Sequence, residues 1–537
     1  METFDYVIVG AGSAGCVLAY RLSEQGHSVC VLEAGPPDSN LFIRIPGGIM
    51  KTYTDPRITW QFRHEGTPNT LGRDIPFIQG KTLGGSSAVN GMIYSRGQAS
   101  DFDLWANLGN PGWDYTSVLP YFRKSERFID GGEDAFRGRE GRIPVTVLAR
   151  RNDAIDSFIR GAVEKGIPLN ADYNGQVQTG VGYTQAAIYK NRRWSSAHAY
   201  LHPAIRAHQV RVLTQALARR VLVEEGRAVG VEYLRPDGGV GTVRARLSTI
   251  VSAGSVNSPK LLQLSGIGSS SLLKELGIPV VADVAGVGEN LRDHYAARLV
   301  ARVHNGVDTL NGRARGLALA REIGAWMLGR PSILAMGSMA VYAFCKSDGG
   351  KTENDYAVTF TPASLKAGMT RRLDDFPGVT CGAWQLRPQS RGFIRIRSAN
   401  VQDAPLIQPN YLDAESDRQI LITALRRGQS ILRSQAMSHI VREQVFPKEE
   451  CHTDDELLDF IRRYGMTAYH LVGTCKMGPP SDPLAVVDSR LRVRGIEGLR
   501  VVDASVMPTT PSANTNAATV MIAEKAADMI IADMKPG

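Results

Sequence analysis

Near the start of the chain, Gly10-Ala11-Gly12-Ser13-Ala14-Gly15 sets out the G-x-G-x-x-G spacing, a pattern suited to holding a pyrophosphate. Gly10 permits a tight turn, Gly12 lets the backbone approach the phosphates, and Gly15 lets a helix pack close to a strand. Glu33 stands 18 residues beyond Gly15, where a carboxylate accepts from an adenosine ribose hydroxyl. An acid at that point suits an unphosphorylated ribose, hence FAD or NAD rather than NADP. A second glycine-serine loop, Gly80-Lys81-Thr82-Leu83-Gly84-Gly85-Ser86-Ser87-Ala88-Val89-Asn90-Gly91, begins 65 residues after Gly15. Its density of small residues suits a backbone pressed against a flat ligand. Far downstream, His470 stands between Tyr469 and Leu471. Imidazole titrates near neutrality, yet in isolation a histidine with such neighbours reads as a core residue.

The first two motifs need a frame of strands and helices. Tyr6-Val7-Ile8-Val9 is a short apolar run that predicts a buried parallel strand ending at Gly10. A helix with Val17, Leu18 and Leu22 on its apolar side follows, then a second strand, Val29-Cys30-Val31-Leu32, that ends at Glu33. The phosphates would sit at the helix N-terminus, where unpaired N–H groups and the dipole favour anions. Residues 392–397 alternate as a half-buried strand should. A turn at 407–412 precedes a helical stretch near 417–433, and residues 517–527 predict a strong helix capped by Thr515 or Asn516. Residues 504–523 carry no charge and number 20, enough to span a bilayer. Pro508, Pro511, Asn514 and Asn516 make that stretch a loop entering a helix instead.

Composition narrows the class. A chain of 537 residues implies more than one packing unit. At 43% hydrophobic and 21% charged residues the proportions are globular. The net charge of +9 is a mild bias without a dense basic tract, which argues against a nucleic-acid partner. Cys16, Cys30, Cys345, Cys381, Cys451 and Cys475 lie far apart, so neither a disulfide scaffold nor a CxxC metal site is expected. Met1-Glu2-Thr3-Phe4-Asp5 lacks the basic region of a secretory signal. The expectation is a cytoplasmic enzyme in a reducing compartment, with contact at the inner face of the membrane left open and oligomeric state unspecified.

Three further stretches select a family. Gly254-Ser255-Val256-Asn257-Ser258-Pro259 leads into Leu261-Leu262-Gln263-Leu264-Ser265-Gly266-Ile267-Gly268. His470-Leu471-Val472-Gly473-Thr474-Cys475-Lys476-Met477-Gly478 is followed by Val501-Val502-Asp503-Ala504-Ser505 and Asn514-Thr515-Asn516-Ala517-Ala518-Thr519. Together with the glycine loops and the 287–294 segment ending in Asp293-His294, these resemble the glucose-methanol-choline (GMC) oxidoreductases, most closely the bacterial alcohol and choline dehydrogenase branch. The resemblance runs from residue 4 to about residue 532.

The resemblance implies an α/β fold with a Rossmann-like FAD-binding domain assembled from discontinuous segments. A substrate domain with a mostly antiparallel sheet flanked by helices would complete it. The motif positions place the FAD domain at 1–154, 196–299 and 466–537, and the substrate domain at 155–195 and 300–465, with the active site at their seam. Cofactor contacts are implied at Gly10, Gly12, Ser13, Ala14, Gly15, Glu33 and Ala34, and at Lys81, Leu83, Gly84, Gly85, Ser86, Asn90, Gly91, Met92 and Ile93. Others are implied at Ala218, Ala253, Asp503, Ala504, Asn514 and Thr515. His470 becomes the catalytic base and Asn514 its partner, an amide able to donate to a forming alkoxide. The positive end of the helix after Asn514 would stabilise charge on the reduced flavin.

The expected reaction is oxidation of a primary alcohol, aliphatic or benzylic, to the aldehyde. The flavin accepts the hydride at N5, and a quinone, a dye-like carrier or oxygen takes the electrons. Choline dehydrogenase and a peroxide-releasing alcohol oxidase are the alternatives within redox chemistry, with a hydroxynitrile-lyase-type activity on the same fold further off. A quaternary ammonium would want aromatic rings and a carboxylate. Trp60, Trp326, Tyr342, Phe344 and Trp384 supply the rings in principle.

Some members of the family bind flavin through a histidine immediately before the asparagine of the second glycine loop. That position is Val89 here, which cannot form the bond, so the FAD is expected to be non-covalent. Acid or urea treatment should release all the yellow chromophore from the chain. Chromophore retained on the denatured protein would refute this.

Overall fold

The apolar N-terminal run forms a parallel strand whose neighbours come from distant parts of the chain. In the computed structural model, which describes residues 2–348, 350, 352–366, 372–449 and 451–534, it spans Glu2–Val9. It pairs with Val29–Glu33 on one side and Val240–Val251 on the other. Val210–Thr214 extends the parallel part beyond Val29–Glu33, and Leu499–Val501 pairs in parallel with the end of Val240–Val251. The start of Val240–Val251 also belongs to an antiparallel hairpin array with Arg227–Leu234 and Leu217–Glu224. Seven strands thus make one sheet from three separated stretches of sequence.

Helices cover this sheet because its strands are apolar on both faces. Ser13–Ser23 is buried from Ala14 onward, all round rather than on one side. It packs against Thr515–Ala532, which is likewise almost entirely buried. Arg21 crosses between the two helices, and its Nη2 donates to Asp528 at 2.6 Å. The 504–523 stretch is a short turn of helix, a loop and the start of Thr515–Ala532, as its prolines predict. No helix among the described residues is long and apolar enough to cross a membrane. Cys16, Cys30, Cys345, Cys381 and Cys475 are buried, and Cys475 packs in the core beside the first sheet.

A second sheet is antiparallel throughout. Its order is Val441–Phe446, Tyr295–Val303, Gly378–Gln385, Tyr356–Thr361, Val341–Cys345 and Gly180–Tyr183, with Met466–Thr467 added beside Tyr295 and Ala296. One face packs on Glu415–Leu432 and Asp153–Glu164, where Phe158 stacks on Phe360 at 4.4 Å. The other face looks toward the first sheet. The fold is therefore α/β, with a discontinuous Rossmann-like unit and a separate antiparallel-sheet unit. The proposed cut at 299/300 falls inside the Tyr295–Val303 strand, and Met466–Thr467 joins the same sheet from beyond the cut at 465/466. The helix predicted near 417–433 spans Glu415–Leu432. The strand predicted over 392–397 is shorter, Phe393–Arg395, because the Ile396 N–H donates to the Gln263 side chain at 2.9 Å instead of to a strand.

Candidate active site

At the carboxyl ends of the parallel strands, glycine is required by contact as well as by conformation. Gly10 has φ of 100°, and a Cβ there would stand 2.4 Å from the Ser252 carbonyl oxygen. A Cβ on Gly15 would stand 1.9 Å from the Gly10 oxygen, so helix and strand could not close. Gly12 meets only the Ser252 oxygen, at 3.8 Å, and its open side forms part of the wall of a large cavity. The helix that follows has no side-chain cap hydrogen bond, which leaves its first N–H groups to a ligand.

Glu33 is held rigidly at the next strand end. One oxygen accepts from the Ala11 N–H at 3.0 Å and the other from the Gly35 N–H at 2.8 Å. Burial pushes this carboxyl up to about 7, against the downward pull of those N–H groups and Lys81. Each oxygen keeps a lone pair for a ribose hydroxyl. Asp503 is more fully occupied: Gly254 N–H and the Ser258 hydroxyl donate to one oxygen, the Ser505 N–H and hydroxyl to the other. It lines the cavity, but its acceptors are spent on fixing two turns.

The second glycine loop lies against the first. A Cβ on Gly85 would stand 2.7 Å from Gly12 Cα. Gly85, Ser86, Asn90, Gly91, Met92 and Ile93 line the cavity together with Gly10, Gly12, Ser13, Ala14, Glu33, Ala34, Ala218, Ala253, Asp503, Ala504, His470, Asn514 and Thr515. Four expected positions stay behind the wall. Gly15 serves the helix–strand contact, and Leu83 is packed in the core. The Gly84 N–H ties the two loops together by donating to the Ala11 oxygen at 2.7 Å. Lys81 turns its ammonium over the Trp60 ring, 4.5 Å from the centroid. Contact spacing along a loop does not reveal which residues face inward, and tertiary packing decided these four.

At the other end of the cavity is a chain of four polar groups. His294 Nε2 lies 2.9 Å from the Leu386 carbonyl oxygen, and its Nδ1 lies 2.8 Å from His470 Nδ1. A carbonyl only accepts, so His294 Nε2 carries the hydrogen and its Nδ1 is the acceptor. His470 must then donate from Nδ1, which leaves Nε2 with an unshared pair. Asn514 Nδ2 donates to that nitrogen at 2.9 Å. The Leu386 carbonyl therefore sets the tautomer of His470 through His294. Burial lowers His294 to about 4, and burial plus the adjacent His294 holds His470 well below the ordinary imidazole range.

Asp293 fixes the backbone of this segment. Its oxygens accept from the His470 N–H at 2.8 Å and from the Thr467 and Tyr411 hydroxyls. Burial raises its carboxyl to about 6 against these hydrogen bonds. The preceding Tyr469 has φ of 66°, a left-handed turn that presents His470 to the cavity. His294 was not among the residues expected from sequence. Its only signal was its place in the 287–294 segment, since no spacing rule connects it to a residue 176 positions away.

Asn514 is the N-cap residue of Thr515–Ala532, just before the expected Thr515 or Asn516, yet it makes no side-chain cap bond. Its amide is turned to His470 instead, and its Oδ1 is buried with no partner. Asn516 Nδ2 donates to Ser13 Oγ at 2.9 Å, joining the N-terminal ends of both helices. Two uncapped helix ends, an acid at the ribose position and glycines whose open sides form the wall fit a flavin dinucleotide. The cavity is about 1100 Å³ and continues past His470 to the second sheet, where Ala296, Arg298, Thr359, Gly382 and Trp384 line it. No metal-binding cluster of His, Cys, Asp and Glu exists among the described residues.

Known proteins agree with this geometry. The N-terminal GMC oxidoreductase model matches residues 4–296 and the C-terminal one residues 388–523. The chain is 40% identical to an oxygen-dependent choline dehydrogenase of Vibrio vulnificus over 99% of its own length and 94% of the relative's. It is 38% identical to a like-named protein of Brucella anthropi, covering 98% and 95% of the two chains. Among solved structures, pyridoxine 4-oxidase from Mesorbium loti superposes with a TM-score of 0.88 at 28% identity, over 98% of both chains. An FAD-dependent oxidoreductase from Chaetomium thermophilum gives 0.88 at 26% identity over 99% of both. The chain therefore belongs to the GMC oxidoreductase family and is an FAD-dependent oxidoreductase acting on an alcohol-type substrate.

Proposed function

We propose that the chain oxidises a primary alcohol to the aldehyde with non-covalently bound FAD and with His470 as the base. The observation that carries this is the Leu386–His294–His470–Asn514 series, which makes Nε2 the proton-accepting nitrogen of His470, a residue of the cavity wall, with the Asn514 amide as its resting donor. The flavin accepts the hydride. His470 Nε2 takes the hydroxyl proton, and the resulting imidazolium keeps its Nδ1–H on His294. Asn514 has a second N–H available to the alkoxide oxygen. Gly10, Gly12, Ser13, Glu33, Ala34, Ala218, Ala253 and the 85–93 segment would hold the dinucleotide. Thr515 and Ala504 would flank the flavin. Val89 is buried in an apolar cluster, and His470 is the only histidine among the described lining residues, which supports the non-covalent reading.

The names of the relatives favour choline over the apolar alcohols expected from sequence. Of the five rings considered, Trp60 and Trp384 line the cavity. Tyr342 and Phe344 lie in the cluster with Trp384, and Trp326 donates to the Asn191 oxygen elsewhere. Choline therefore stands as the second reading. An anaerobic screen of primary alcohols, choline and sugars should bleach the flavin with at least one primary alcohol. Absence of bleaching by any alcohol would overturn redox function and leave the lyase reading. Release of peroxide in air then separates an oxidase from a dehydrogenase using a quinone or dye-like carrier.

His470→Ala should slow flavin reduction by about 10²- to 10⁴-fold. Because burial keeps His470 neutral, the wild-type reduction rate should stay flat across the neutral range and fall only on the acid side of about 6.5, the ordinary imidazole value. A fall centred on that ordinary value would contradict the buried base. His294→Leu removes the acceptor for His470 Nδ1–H and should cost about 10- to 100-fold in the same rate. His294→Asn, whose oxygen accepts, should recover much of that loss. Equal loss in both variants would show that His294 does not set the tautomer.

A further inference from the structure

Of the cations on the substrate side of the cavity, Arg298, Arg315, Lys366 and Arg372, the first is carried by a strand of the second sheet. Side chains alternate along Tyr295–Val303: Ala296 and Arg298 are half-buried and line the cavity, whereas Tyr295 and Leu299 are buried in the core. Ala296 pairs with Trp384 and Arg298 with Gly382, which has no side chain to cover the guanidinium. Arg298 Nη2 donates to the Lys366 carbonyl oxygen at 2.9 Å. No carboxylate among the described residues forms an ion pair with it within 4.0 Å. Asp374 acts on it only through space. A guanidinium carries five N–H donors and stays charged, so donors remain for a ligand.

The carboxylates that line the cavity do not offset this charge. Glu33 and Asp503 are engaged at the nucleotide end by backbone N–H groups. Asp375 is 78% exposed and pairs with Lys366 and Arg315. A trimethylammonium group beside Arg298 would meet a like charge, with Asp374 acting there only from beyond ion-pair distance.

We propose that Arg298 is a specificity residue that binds a carboxylate carried by the alcohol substrate, so that the enzyme prefers ω-hydroxycarboxylates to plain alcohols and to quaternary ammonium alcohols. This rests on the alcohol-oxidising reading above and departs from the choline suggested by the relatives' names. His294 and Arg298 lie four residues apart, roughly 13 Å between Cα atoms at strand rise. The hydroxyl at His470 and the carboxylate at Arg298 would bracket an aliphatic spacer of medium length, lying along Ala296 and Trp384. Arg–carboxylate recognition is directional and bidentate, which orients the substrate with its hydroxyl toward the base.

The test compares kcat/KM for ω-hydroxyhexanoate, n-hexanol and choline in the flavin-loaded wild type and in Arg298→Gln. The wild type should favour ω-hydroxyhexanoate by about tenfold or more, the scale of a hydrogen bond to a charged group. Arg298→Gln should erase that preference by lowering kcat/KM for ω-hydroxyhexanoate about tenfold more than for n-hexanol, since the contact to a charged group is the one removed. In the wild type alone, hexanoate should compete with n-hexanol more strongly than tetramethylammonium does, a measurement that does not depend on the variant folding. Equal loss on all three substrates, or stronger competition by tetramethylammonium, would overturn the assignment. Bleaching by n-hexanol without a carboxylate preference would sink the Arg298 inference alone. No bleaching by any of the three would sink the alcohol-oxidising reading itself.

Discussion

The pairings Val9 with Val251 and Val251 with Val501 hold the site together. Parallel strands in that register end at the same level, and ligands in such sheets bind beyond the carboxyl ends. Gly10, Ser252 and Val502 are the next residues on the three strands, so three turns meet at one edge. The Ser252 oxygen then approaches Gly10 too closely for any side chain, and Asp503 clamps Gly254 and Ser505. A slip of one strand would separate the phosphate turn from the segment that leads to Asn514.

The reactive end depends on a different economy of hydrogen bonds. Leu386 lies on the substrate side, His294 just before the strand of the second sheet, His470 on a turn between the sheets, and Asn514 at the head of a helix on the first. Each donates to or accepts from the next. Such a buried series is rigid when its groups are satisfied; the His470 Nε2 pair is held by the Asn514 amide, and the Asn514 oxygen is left without a partner. Asn514 gives up the usual role of its side chain at a helix start to join it. The helix thereby keeps its first N–H groups uncapped, as the first helix does at Gly12.

Local rules made the nucleotide end readable. Gly10, Gly12, Gly15 and Glu33 belong to one strand–turn–helix–strand unit in which spacing dictates place. The loop at 80–91 was readable as a cradle, but not which members face inward: Lys81, Leu83 and Gly84 are turned away by contacts with Trp60, the core and Ala11. His470 and Asn514 were reached through family resemblance, because the features that distinguish them from core and cap residues are their partners. His294 and Arg298 were missed for the same reason. Their meaning comes from which face of a strand they occupy and from residues far away in sequence. The cap of the last helix, expected at Thr515 or Asn516, is Asn514, whose amide is committed to His470 and makes no cap bond that composition could have shown.

Separation of the strands along the chain has a consequence for how the enzyme is made. Val251 must wait for Leu499–Val501, 250 residues later, before the edge of the sheet is complete. At about 5–20 residues per second, that is tens of seconds of synthesis during which the phosphate turn exists without the helix head that faces it. The Asn516–Ser13 link needs residues that are made later still. Cofactor capture should therefore follow translation of nearly the whole polypeptide, and a nascent chain stalled before residue 500 would carry an assembled fingerprint loop with no place to keep a flavin.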